Sequence, residues 1–192
     1  MQMSTGSNSV SNVTAGKPKV GGSLFRAPAG TTLPTNATTA LDKAFQCLGY
    51  VSDEGVTNST SIESDDIKAW GGDTVLAPQT GKTDTFQLAL LESLNVQVLK
   101  AYFGDDNVTG TDVKTGLSIK CNSKELQSSV WVVEMIANGN IPHRVVIPNA
   151  KPTEMEDITY VDNDPVSLGM TLTALPDDSG NTHYEYFGGN AS

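Results

Sequence analysis

Val51-Ser52-Asp53-Glu54-Gly55 opens a stretch that runs, with few bulky apolar residues, to Asp65-Asp66-Ile67-Lys68-Ala69-Trp70-Gly71-Gly72-Asp73 and on to Lys82. Strand-like sequence lies on both sides of it. A connection beyond ~12–15 residues is uncommon in a compact domain unless it has a use. This one is acidic and Gly-rich, and it holds one of the chain's two tryptophans. It has too little apolar content to build a core of its own. The expectation is a segment that is either disordered or ordered by something outside the subunit. Read this way, residues 53–82 form an arm that grips a neighbouring copy of the same protein.

Downstream of that stretch, Thr85 to Leu91 alternates, with Phe86, Leu88 and Leu90 on one side and Thr85, Gln87 and Ala89 on the other, as in a half-buried strand. The period then changes. Val96, Leu99 and Phe103 share one helical stripe, Ser93 or Asn95 can cap its start, and Gly104 supplies the stop. This is the one substantial helix expected. Strands follow: Val113 to Cys121, Ser129 to Ala137, Ile141 to Ile147, a weaker run from Glu154 to Val161, Val166 to Ala174, and Thr182 to Phe187. Asn138-Gly139-Asn140 between two apolar runs is a strong hairpin signal. Upstream, Val20 to Arg26 is a strand candidate broken by Gly21-Gly22, Thr38 or Thr39 can cap a helical turn through Phe45, and Leu48 to Ser52 is strand-like. The fold expected is mainly β: an antiparallel sandwich or barrel flanked by one α-helix. Its organisation is a flexible arm over 1–16, the β domain over 17–187 and a flexible tail over 188–192.

The 129–137 strand is apolar on both faces. Trp131, Val133 and Met135 occupy one, and Val130, Val132 and Ile136 the other. An antiparallel sheet normally keeps one face wet. The second face is therefore covered either by the helix or by another subunit.

The 192 residues suffice for one domain with extensions and a real core. The apolar fraction is 38%, and the formal charge of −10 argues against tight binding of nucleic acid. Such acidity keeps an abundant protein soluble and suits a surface past which DNA slides. Cys47 and Cys121 form neither a CxxC pair nor a disulfide framework and read as two half-buried thiols in a reducing cytoplasm. The first 16 residues are Ser/Asn/Thr/Gly-rich, unlike a signal peptide or a membrane span.

No catalytic constellation emerges. Gly81-Lys82-Thr83 resembles the end of a phosphate loop, but Leu76 stands where the motif needs glycine and a strand follows where it needs a helix. His143 and His183 lack ligand spacing to a cysteine or carboxylate. Asp162-Asn163-Asp164 and Asp105-Asp106-Asn107 read as turns rather than calcium loops. Glu154, Glu156 and Asp157 read as a charged rim. No enzyme activity, cofactor or metal is expected.

Gly16-Lys17-Pro18-Lys19-Val20-Gly21-Gly22, Leu48-Gly49-Tyr50-Val51-Ser52-Asp53-Glu54-Gly55-Val56 and Asp66-Ile67-Lys68-Ala69-Trp70-Gly71-Gly72-Asp73 together resemble the major tail (tail tube) proteins of long-tailed, non-contractile bacteriophages, most like those of Gram-positive hosts. The helix Asn95 to Gly104 and the run Val145-Val146-Ile147-Pro148-Asn149-Ala150 fit the same pattern, so the likeness covers about Gly16 to Phe187. It implies a β-sandwich or barrel with a flanking helix, and subunits that form hexameric rings stacked into a hollow tube. The loop and the N-terminal arm would lock ring to ring. The implied partners are further copies, a tape-measure protein, a tail terminator and a distal tail or baseplate protein, with DNA only in transit. The protein would be made in the host cytoplasm and reside in the virion. Some relatives carry an added immunoglobulin-like domain, which a chain ending soon after Phe187 is not expected to have. Candidate contacts between subunits are Lys17, Lys19, Ile62, Ile67, Trp70, Val130, Val132 and Ile136. Trp70 could instead pack in its own core. Candidate lumen residues are Asp53, Glu54, Asp65, Asp66, Asp105 and Asp106, which could equally solubilise the outer surface. The contrasting reading is a monomeric or low-order β-sandwich binding module, such as a capsid-decoration or adhesion protein.

Overall fold

The computed structural model describes residues 8–189. Its strands are β1 (Lys17–Pro18), β2 (Leu24–Pro28), β3 (Gln46–Cys47), β4 (Val51–Ser64), β5 (Ile67–Lys68), β6 (Thr74–Leu76) and β7 (Gln79–Leu90). The helix α1 (Val96–Phe103) is followed by β8 (Val108–Thr109), β9 (Ser118–Ile119), β10 (Ser129–Ala137), β11 (Ile141–Met155), β12 (Leu168–Ala174) and β13 (Tyr184–Phe187). The fold is mainly β and antiparallel, as the alternation predicts.

One sheet runs β3-β2-β10-β11-β12-β7-β4. The Asn138–Asn140 turn joins β10 to β11, with Gly139 and Asn140 both at positive φ, and pairs Ala137 with Ile141. One edge of β11 is shared in sequence by β12 and β13, and one edge of β10 by β2 and β1. The two ends of the path, β3 and β4, are separated by only Leu48–Tyr50. Four residue steps span at most about 14 Å. The sheet therefore curls back almost onto its own start, without closing into a barrel.

The main core lies inside this curl. Phe86, Leu88, Leu90, Trp131, Val133, Ile147, Met170 and Leu172 are all buried there, and α1 plugs it with Val98, Leu99, Ala101 and Tyr102. Burying each large apolar side chain contributes about 1.5–3 kcal/mol. Asn95 caps α1 by accepting from the Gln97 N–H at 3.0 Å, a contribution of ~1 kcal/mol. Gly104 stops the helix at φ 97°, which an L side chain rarely adopts.

The second face of β10 is covered by neither the helix nor another subunit. Val130, Val132, Ala27 and Val146 form a second buried cluster under Leu33, Leu41, Ala44 and Phe45, with Tyr184 and Tyr186 at its side. The 29–45 segment of the same chain is the lid. Beneath it the cross-strand pair Glu134 and Arg144 is also buried. Arg144 Nε donates to Glu134 Oε1 at 3.0 Å, and Arg144 Nη1 donates to the carbonyls of Asn36 and Thr39 at 2.7 and 2.8 Å. The lid is thus pinned by an ion pair with its hydrogen bonds satisfied.

Several local expectations are corrected. No helical turn runs through Phe45: the Asn36 Oδ1 accepts from the Thr38 and Thr39 N–H groups, and such local side-chain bonds compete with helix. The first core strand starts at Leu24 rather than Val20, because Gly21 and Gly22 hold φ 90° and 145°. Between Val113 and Cys121 only Ser118–Ile119 is strand, since the chain there is a turn held by Asp112, with Gly110 and Gly116 at positive φ. The arm expected to be flexible through Gly16 is partly held: Asn138 Nδ2 donates to the Val13 carbonyl at 2.6 Å, and the Asn138 N–H to Thr14 Oγ1 at 2.9 Å. Residues 1–7 and 190–192 lie outside the described residues.

Candidate functional site

Residues 53–82 are not an irregular loop. Strands β4 and β7 make one long hairpin, paired from Val56–Leu88 to Ser64–Gln79, and β5 and β6 form a small second ladder at its tip. Backbone pairing within the chain supplies the order, where side-chain composition argued for order from outside. The side chains do follow composition: every residue from Thr57 to Thr80 is exposed. At ~3.3 Å per residue, the ladder from Thr60, opposite the buried Asp84, to Ser64 carries the β5–β6 tip about 13 Å beyond the core.

The tip turns at Trp70–Gly72. The Ala69 N–H donates to the Asp73 carbonyl at 2.8 Å and the Gly72 N–H to that of Ala69 at 3.0 Å, with Gly71 and Gly72 at positive φ. Trp70 is fully exposed, which removes it from its own core, and Ile62, Ile67, Val75 and Leu76 are also exposed along the same hairpin. Monomeric surfaces tolerate scattered apolar residues; a large exposed aromatic with further exposed apolar residues on one arm is the pattern of a contact site.

At its root the hairpin is fixed by Asp84, the last charged residue before the core and itself fully buried. Asp84 accepts from Thr60 Oγ1 at 2.5 Å and from the Thr182 hydroxyl, and pairs with Lys82 Nζ at 2.9 Å. Burial alone would raise its pKa. The hydrogen bonds from Thr182, Thr60 and Lys82 outweigh that and hold it at about 2. The hairpin is thereby tied to the turn between β12 and β13.

The remaining site candidates separate. Ile62, Ile67 and Trp70 are all on the hairpin, Ile62 on its long ladder, Ile67 on the β5–β6 ladder and Trp70 in the turn. Lys17 is exposed on β1, opposite the half-buried Ile136. Lys19 is engaged within its own subunit, its Nζ 2.5 Å from Glu134 Oε2. Val130 and Val132 are 1% and 0% exposed beneath the 29–45 lid, so a neighbouring subunit does not reach them. Among the acids, Asp53 and Glu54 are exposed in a bulge beside Gly55, and Asp65 and Asp66 are exposed at the tip. Asp106 is exposed, whereas Asp105 takes two bonds from the Arg26 guanidinium at 2.5 and 3.1 Å. Sequence reasoning missed Asp84, Glu134 and Arg144. Among the described residues no group of three or more His, Cys, Asp or Glu gathers as metal ligands, and no helix is long and apolar enough to cross a membrane.

The fold is a curled antiparallel domain with a projecting arm, and the side chain at the arm's turn, Trp70, is fully exposed. The chain belongs to the phage tail tube protein family, whose profile matches residues 5–190. It is a structural protein of the phage tail. No curated protein matches it. Among solved structures it is similar to the anti-feeding prophage cap (AFP tube terminating cap) determined by cryo-EM, at 8% identity over 96% of this chain and 98% of that one, with a TM-score of 0.44. That similarity is too distant to bear on function.

Proposed function

We propose that the chain assembles into hexameric rings that stack into the hollow tail tube, the conduit through which the genome leaves the capsid. The observation that carries this reading is the hairpin, exposed at every residue from Thr57 to Thr80 and tipped by a fully exposed Trp70. An arm of this kind, docking on a different surface of the next copy, makes a heterologous contact. Such contacts close into rings or continue as filaments. In this reading Ile62, Ile67 and Trp70 are inter-subunit anchors, with Lys17 and Ile136 at a second contact. Asp53, Glu54, Asp65, Asp66 and Asp106 are candidates for the lumen wall, where carboxylates repel passing DNA. The tube surrounds a tape-measure protein during assembly and meets a terminator at one end and a distal tail or baseplate protein at the other. No sequence-specific contact with DNA is involved.

Negative-stain microscopy across a concentration series tests this. Dilute protein is expected as monomer or small oligomer, and concentrated or seeded protein as hollow tubes. Monodisperse monomer at high concentration, even with the tail initiator present, would refute it.

A further inference from the structure

We infer that the hairpin tip of one copy seats in the crevice between the C-terminal end of α1 and the 124–127 segment of another copy. This rests on the self-assembly proposed above and names the receiving surface.

The tip has two properties that its receptor must match. It offers one large aromatic, Trp70, and it is acidic: Asp65, Asp66 and Asp73 surround a single Lys68. None of these four charges is in an ion pair among the described residues, and projection beyond the core keeps the tip off its own subunit's surface. A fitting receptor is a small apolar-floored cleft with unmatched cations at its rim.

Three cavities can be compared. The one at the β12–β13 turn, about 420 Å³, has Lys82 as its cation, and Lys82 is committed to Asp84 at the root of the hairpin itself. The one beside Ala44 and Gln46, about 320 Å³, holds Arg26 and Asp105, already paired with each other. The crevice at α1 is about 290 Å³. That lies just below the ~300–1,000 Å³ range of small-molecule pockets, a scale suited to one inserted side chain. Ala101, Leu126 and Pro152 give it apolar lining. Gly104 shapes its wall: a Cβ there would stand 3.0 Å from Leu126 Cδ2. Its ion pairs are Arg26–Asp105 and Lys151–Glu125. Lys100 and Lys124 are left against Asp106, a surplus of one cation. An acidic aromatic tip suits a cleft of side-chain size whose ion pairs leave Lys100 and Lys124 in surplus by one over Asp106, and opposite charge fixes the register of such a contact.

The test uses two single-cysteine proteins in a Cys47→Ser/Cys121→Ser background, one carrying Ala69→Cys at the tip and the other Gln127→Cys at the crevice. Mixed, assembled and treated with a short bis-maleimide, they are expected to yield a covalent heterodimer on a denaturing gel. Tubes that form from the mixture without that heterodimer overturn the inference and leave self-assembly standing. Failure of the unmodified protein to assemble overturns self-assembly itself, and the inference with it. A charge exchange gives a second readout. Asp65→Lys/Asp66→Lys is expected to raise the concentration needed for tubes by about tenfold or more, and adding Lys100→Glu/Lys124→Glu is expected to restore it. Full assembly by the Asp65→Lys/Asp66→Lys protein alone also overturns the inference.

Discussion

Thr60 donates its hydroxyl to Asp84 across the β4–β7 ladder at 2.5 Å, at the last rung where the hairpin still touches the core. Beyond that rung, from Ser61 to Thr80, the side chains face water. The bond therefore marks where the arm leaves the domain, and Asp84 holds it there with Lys82 and Thr182.

This anchor should make stability pH-dependent. Asp84 has its pKa lowered from 3.8 to about 2 in the folded protein. A depressed carboxylate stabilises the fold above its unfolded pKa, and that contribution is lost as pH falls through the folded one. A shift of this size corresponds to about 2 kcal/mol, present above pH 4 and fading from there down to about pH 2. Chemical denaturation at a series of pH values is expected to show this slope, and Asp84→Asn is expected to flatten it. At pH 7 the same substitution should lower stability by about 2 kcal/mol. An unchanged acid profile would show that the anchor does not couple to folding.

Glu134 and Arg144 make a sharper case, because both are buried. Removing one partner leaves an uncompensated charge, at a cost of about 3–5 kcal/mol. Glu134→Ala is expected to lose that much, and amide exchange should quicken in the 29–45 lid, whose carbonyls at Asn36 and Thr39 Arg144 holds. Lys19→Ala is expected to cost about 0–1 kcal/mol, since the ammonium that meets Glu134 is half exposed. Equal losses for the two variants would contradict the burial argument.

Cutting the hairpin should separate folding from assembly. Replacing Glu63–Gly81 with Asn-Gly joins Ile62 to Lys82, which are already opposite each other, through the turn type that two-residue hairpins favour. The anchor residues Thr60, Lys82 and Asp84 remain. The expected protein unfolds within a few degrees of the parent and forms no tubes. Trp70→Ala isolates one side chain. Its stability should stay within about 0.5 kcal/mol, while an aromatic hot spot of ~2 kcal/mol or more would raise the assembly concentration about 30-fold. Normal assembly by the Trp70→Ala protein would remove it as an anchor.

The sequence made some of this architecture legible because the relevant signals are local. Alternation placed Phe86, Leu88 and Leu90 inside, Asn95 and Gly104 bounded the helix, and Asn138-Gly139-Asn140 fixed the register of β10 against β11. What escaped was set by distant pairing. The 57–80 arm is polar on both faces, so its strands carry no core pattern, and only ladder formation between them reveals a hairpin. The lid over Val130 and Val132 is an irregular segment more than eighty residues upstream, which no periodicity points to. Two signals were present and unread. Asp84 shares the parity of Phe86 and Leu88, a charge on the core face of its strand. Glu134 and Arg144 lie five residues either side of Gly139, so a hairpin centred there sets them opposite one another.

The acidic pairs at the two ends of the arm should behave differently. Glu54 sits in the bulge at the root and Asp65 just past the end of β4, with the eight steps of ladder from Val56 to Ser64, about 26 Å, between them. If the tip enters the α1 crevice, Asp65 and Asp66 are consumed in that contact, and Asp53 and Glu54, in the bulge at the root, are left to face passing DNA. Duplex DNA carries one charge per ~1.7 Å. Lysines on the wall would hold it by displacing counterions, whereas carboxylates repel it at short range, with screening beyond ~10 Å at 0.1 M salt. Asp53→Lys/Glu54→Lys is therefore expected to assemble at the parental concentration but to slow genome release from triggered particles, most strongly at low salt. Asp65→Lys/Asp66→Lys is expected to fail earlier, at tube growth. Asp105→Lys belongs to neither class: it breaks the bonds to Arg26 and should register as lost stability. Release kinetics for the Asp53→Lys/Glu54→Lys particles that match the parent at every salt concentration would place those carboxylates away from the lumen.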